Sequence, residues 1–144
     1  MQRYKSYEAK LFYTFRLSER VPVNNFYRRF KGGLDLSFIR KYTQEYYGKE
    51  GQTSIDPVVF FKLMLIGYLE NIPSDRKIVE QTGIRLDMLY FLNYNIDEPL
   101  PWHSTLSRTR KPYGEELFLK VFNHILELCI KVDIVDGRTQ AIDT

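Results

Sequence analysis

The densest chemical signal in this chain is His103-Ser-Thr-Leu-Ser-Arg-Thr-Arg-Lys111, which carries three fixed positive charges, four hydroxyls and no acid. Such side chains suit phosphate oxygens, and a helix N-terminus rich in Ser and Thr adds free backbone N–H groups that do the same. On a helix Arg108 and Lys111 stand three apart and share a face, while Arg110 points elsewhere. A guanidinium can grip guanine bidentately for about 1–3 kcal/mol, so Arg108 or Arg110 is the candidate for reading a base. The same composition also suits a capped, solvated surface helix. Trp102, just before it, reads either as a core anchor or as a stacking platform for a base.

The net charge of +3 hides a segregation. Residues 1–31 carry +6, residues 32–75 carry −2, residues 76–114 carry +2 and residues 115–144 carry −3. A polyanion would therefore sit on the basic N-terminus (Arg16, Arg20, Arg28, Arg29, Lys31), on Arg76 and Lys77, and on the acid-free run from Trp102 to Gly114, where Ser104, Thr105, Arg108, Arg110 and Lys111 lie. Lysines and arginines that merely solvate helix faces would give a similar pattern.

Other chemistries are poorly supplied. One Cys and two His exclude an internal disulfide framework and a standard Cys/His zinc site. Neither His103 nor His124 implies a metal. Cys129 falls within an apolar helical stripe, as a buried inert thiol would. The N-terminus has no apolar signal region. The most apolar stretch, Val58 to Leu69, is broken by Lys62 and is shorter than the roughly 20 residues a bilayer requires. The expectation is a cytoplasmic protein without a membrane span.

The elements that must hold these groups are helical. Pro22 stops any preceding helix, and Asn24 or Asn25 caps Phe26–Lys31, ended by Gly32-Gly33. Asp35 caps Leu36–Tyr47, whose inward stripe is Leu36, Ile39, Tyr42, Tyr46 and Tyr47. Asp56-Pro57 joins a capping carboxylate to a proline at the first helical position, starting a helix that runs to about Glu70. That helix has almost no polar face, so it is placed at the centre. Ser74 caps Asp75–Thr82; after Gly83 a second helix spans Arg85–Asn93. The pair has the outline of a helix-turn-helix, but RLDMLYFLN offers little to a DNA groove and reads more as a core helix. Ser104 or Thr105 caps the basic helix, Leu106–Lys111. Glu115–Val132 has the clearest period, with Leu117, Val121, Ile125, Leu128 and Val132 in one row and Phe118, Phe122, Leu126 and Cys129 beside it. Asp136-Gly137 is a turn, and Arg138–Thr144 alternates as a strand begins to.

The segments FYTFRLSERVPVNNFYRRF, LDLSFIRKY, SIDPVVFFKLMLIGYLENIPSDRKIVEQ, PWHSTLSRTR and IVDGRTQAIDT follow one another in an order that resembles DDE-type insertion-sequence transposases of the InsH-like kind. The resemblance covers nearly the whole chain. It implies an all-α multi-helix bundle over residues 1–135 with a helix-turn-helix-like pair. The first β-strand of a truncated RNase H-like catalytic domain would follow over 136–144. It also implies that the helical part binds double-stranded DNA at the element's terminal inverted repeats. Asp143 would be the first catalytic acid and a ligand for Mg²⁺ in the full-length parent. That reaction needs three carboxylates around two divalent ions. Two of them would lie downstream, so the expectation is a catalytically inactive fragment or truncation. The competing expectations are a structural or dimerisation module of the transposase, forming a homodimer, and a standalone DNA-binding regulator descended from one.

Overall fold

A computed structural model describes residues 1–47 and 55–132. The chain runs through α1 (Leu17–Arg20), α2 (Phe26–Gly33), α3 (Phe38–Thr43) with a 3₁₀ turn after it (Gln44–Tyr46), α4 (Pro57–Leu69), α5 (Asp75–Thr82), α6 (Leu86–Leu92), α7 (His103–Arg110) and α8 (Glu115–Lys131). No strand occurs among the described residues, so the architecture is all-α. The Asp136-Gly137 turn, the strand expected over 138–144, Asp143 and the domain division at 136 lie outside the described residues.

α4 forms as its first residues dictate. The Asp56 carboxylate accepts the Val58 N–H at 2.9 Å and Pro57 occupies the first turn. Every residue from Phe60 to Gly67 is buried, which confirms the central placement. The helix stops where Asn71 takes a left-handed backbone (φ 57°) and the Ile72 N–H reaches the Gly67 carbonyl at 2.8 Å. Asn tolerates that conformation better than most residues with a side chain. Asn93 (φ 64°) closes α6 in the same way.

The other helices pack around α4. α3, α5 and α6 lie against it, α2 and α1 lie against α6, and α7 lies against α5. One aromatic layer joins Phe60 and Phe61 of α4 to Tyr113 and to Phe118 of α8. Another joins Tyr27 and Phe30 of α2 to Phe91 of α6. Each such pair adds about 0.5–1.5 kcal/mol beyond its buried area. α8 buries Leu117, Val121, Ile125 and Cys129, so the thiol lies within the packed row. Val132, Leu126 and two residues outside the expected rows, Leu119 and Ile130, remain exposed.

Three boundaries differ from those expected. α2 includes both glycines and ends at Gly33. The helix expected over 36–47 is α-helical only from Phe38 to Thr43, because the Asp35 carboxylate accepts the Ser37 N–H at 3.0 Å and holds the preceding turn outside the helix. α7 starts at His103, ahead of both proposed caps. Trp102 is its N-cap with no side-chain bond, and its carbonyl accepts from Thr105 and Leu106 at 3.0 and 3.2 Å. The extended Pro101-Trp102 entry and the fully buried Leu106 set that start, leaving Ser104 and Thr105 inside the first turn.

Candidate nucleic-acid interface

Two helices carry the candidate cations, and one ion pair fixes how they meet. Asp75, in the first turn of α5, accepts both terminal nitrogens of Arg110 in the last turn of α7, at 2.8 and 2.6 Å. The Ser107 hydroxyl adds a third hydrogen bond to the same carboxylate at 3.0 Å, and Arg110 also donates to the Met64 sulfur of α4 at 2.8 Å. A planar guanidinium suits this fork, and the carboxylate favours the N-terminal end of its own helix. Arg110 is thus committed to joining α7 to α5 and α4.

The same two helices and the α7 C-cap carry four other cations. Arg76 and Lys77 follow Asp75 directly on α5, and Arg108 and Lys111 flank Arg110 on α7; all four are exposed. None has a salt bridge among the described residues. Arg108 donates to the Thr105 hydroxyl of its own helix at 3.4 Å. Thr109 donates back to the Thr105 carbonyl at 2.7 Å, so its hydroxyl is spent within α7, while Ser104 is exposed. Asp75, between the two helices, is paired with Arg110, while Glu80 of α5 and Glu98 line the cavity beside Arg76. The packed helices α5 and α7 thus carry Arg76, Lys77, Ser104, Thr105 and Arg108, with Lys111 at the end of α7 and Arg110 bridging the two helices.

The N-terminal cations are placed differently. Arg28 donates to the carbonyls of Ser18 and Val21 at 2.6 and 2.7 Å, closing the end of α1. Lys31 lies over the Tyr90 ring at 3.7 Å. Arg16, Arg20 and Arg29 remain exposed. The helix after Gly83 is a core helix. α6 buries Met88, Leu89, Phe91 and Leu92. Burial opposes the charge on Asp87, but hydrogen bonds from Arg85 and Asn25 outweigh it and hold its carboxyl below the usual range. α6 has no free cation to offer a groove.

A model of one protein family, the transposase domain (DUF772), matches residues 15–112. The chain belongs to this transposase-domain family. The matched span runs from just before α1 to just past α7, and so contains both cation-bearing helices and their bridge. No curated protein and no solved structure matches the chain.

Sequence reasoning left one feature of the transposase domain open and missed another. Trp102 is no core anchor: it is 77% exposed, and with Ile84, Ile96, Leu100 and His103 it lines an open cavity of about 540 Å³ beside Arg76. The Asp75–Arg110 bridge spans 35 positions and has no local signature. His124 is bound at Nδ1 to the Tyr42 hydroxyl at 2.8 Å and stacked on Phe38. No group of three His, Cys, Asp or Glu side chains that could hold a metal ion occurs among the described residues. No helix among them is long and apolar enough to cross a membrane.

Proposed function

We propose that this transposase domain grips double-stranded DNA through α5 and α7, serving the recognition of element ends in DNA transposition. The observation that carries the reading is the set of exposed cations Arg76, Lys77, Arg108 and Lys111, without a salt bridge among the described residues, on or beside two packed helices whose joining carboxylate, Asp75, is already paired with Arg110. Unpaired surface arginines and lysines on two packed helices are what a phosphate backbone neutralises, with release of its counterions. Of the two candidates for reading a base, Arg108 is exposed and makes one 3.4 Å bond within its own helix, while the guanidinium of Arg110 is occupied by Asp75. α7, and not the second helix of the α5–α6 pair, is the element that approaches the duplex. Trp102, exposed ahead of α7, is available to stack or wedge against it.

Anisotropy of a fluorescently labelled duplex of about 20–30 base pairs, titrated with the chain at several salt concentrations, tests this. Affinity is expected to fall steeply with salt. Absent binding by correctly folded protein would remove the reading. A second reading, an assembly module, rests on the exposed Leu119, Leu126 and Ile130 of α8. It predicts concentration-dependent dimerisation by sedimentation without DNA, relieved by charged substitutions on that helix.

A further inference from the structure

A second group of cations faces a different cavity. Lys62 lies in the middle of the most apolar helix and is 8% exposed. No carboxylate among the described residues lies within salt-bridge distance of it. One of its three N–H groups donates to the Phe91 carbonyl at 2.7 Å, and the ammonium lies 4.8 Å from the centre of the Phe91 ring. Burying an ammonium with so few partners is costly, and side chains of this type are almost never buried unless paired.

What Lys62 faces explains the arrangement better than its two contacts with Phe91 do. It lines a surface cavity of about 160 Å³ together with Lys31 of α2, Arg40 of α3 and Ser37 ahead of α3. Leu34 and Val58 form its apolar walls. Arg40 uses one terminal nitrogen, Nη2, on Asp56 at 2.9 Å, and Asp56 is also occupied in capping α4. Lys31 has no ion pair among the described residues. Three cations against one carboxylate leave the cavity electropositive, with the Ser37 hydroxyl exposed at its rim. The cavity opens to solvent and has room for a small tetrahedral oxyanion with water beside it.

We infer that Lys62, Lys31, Arg40 and Ser37 form a binding site for a single phosphate group, separate from the cations of α5 and α7. The phosphate oxygens accept from the free N–H groups of Lys62 and Lys31, from the unused edge of Arg40 and from the Ser37 hydroxyl. Charge-assisted bonds of this kind are about twice as strong as neutral ones, and a desolvated ammonium strengthens them further. The electrostatics agree. Burial, then repulsion from Lys31, pushes Lys62 down to about 8 against the opposing pull of Asp56; burial, then Arg28, lowers Lys31. Both are cations short of a counter-anion. A free phosphate and a DNA backbone phosphate offer the same oxygens, and the site does not depend on DNA being the partner.

Two probes on the full chain decide the matter. The first is inorganic phosphate exchanged for chloride at constant ionic strength, read by melting temperature and by ³¹P line broadening. The second is the labelled duplex. Lys62→Met is expected to lose about tenfold or more in affinity for whichever probe fills the site, and Lys31→Met to weaken the same probe while leaving the fold intact. Loss for phosphate alone assigns a free ligand; loss for the duplex alone assigns a backbone phosphate. If Lys62→Met does not fold, Lys31→Met carries the test. Wild-type protein indifferent to phosphate over chloride, with duplex affinity unchanged in these variants, overturns the proposal. Duplex binding lost only on replacing Arg108 and Lys111 would leave the α5–α7 reading standing without it.

Discussion

Arg110 and its neighbours Arg108 and Lys111 are alike in sequence and opposite in role, and substitution separates them. Arg110→Met keeps the length of the side chain and its contact with Met64 but removes both bonds to Asp75. It leaves a carboxylate whose side chain is 11% exposed with the Ser107 hydroxyl as its remaining side-chain donor. Hydrogen bonds to charged groups contribute about 1.5–3 kcal/mol net. Arg110 is 43% exposed, so solvent screens part of the charge–charge attraction. The expected loss is about 2 kcal/mol of unfolding free energy, of which a double-mutant cycle with Asp75→Asn should assign about 1 kcal/mol to the pair itself. Urea unfolding followed by circular dichroism measures both. Arg108→Ala and Lys111→Ala should each stay within about 0.5 kcal/mol of wild type, as surface changes do, while weakening duplex binding. An Arg110→Met protein as stable as wild type, or an Arg108→Ala protein that is equally destabilised, would refute this division of labour.

Three further outcomes follow from the packing. Lys62 is lowered in the fold relative to the unfolded chain, so its penalty grows as pH falls from about 10.5 to about 8 and is constant below that. The stability advantage of Lys62→Met in phosphate-free buffer should rise over that window, by at most about 3 kcal/mol at 1.36 kcal/mol per unit, with the lost bond to Phe91 subtracting from it; a flat difference between pH 8 and 10.5 refutes the burial cost. The Thr82 hydroxyl is fully buried and has no hydrogen-bond partner among the described residues. Thr82→Val keeps the shape and should raise the urea midpoint by an amount worth about 1 kcal/mol, whereas a lower midpoint would mean that the hydroxyl is satisfied. Trp102 is the only tryptophan and is exposed, so its emission should lie at long wavelength and be quenched when duplex DNA is added; an early, blue-shifted emission would contradict its placement.

The sequence revealed most where local chemistry decides the outcome. Asp56-Pro57 and the saturation of Val58–Leu69 located α4 and its burial, the capping oxygens of Asn25 and Ser74 placed α2 and α5, and the apolar period of α8 gave its buried row. Reading stopped where a tertiary partner decides. Nothing near Arg110 or Arg28 tells that one meets a carboxylate on α5 and the other two carbonyls of α1, while Arg108 and Arg29 stay free. Trp102 has the composition of an anchor, yet Leu106, one turn on, takes the buried place. Lys62 was visible as an interruption in an apolar run. Only the fold shows that Lys31 and Arg40 share its cavity.

The central claim is that α5 and α7 hold DNA phosphates through Arg76, Lys77, Arg108 and Lys111. The most direct measurement is the slope of log affinity against log salt for duplex binding, for wild type and for the protein with all four replaced by Ala. Each phosphate contact contributes about −0.9 to that slope, so the account predicts that the variant's slope is shallower by roughly 3–4 with its helical content unchanged. Equal slopes for the two folded proteins would contradict it.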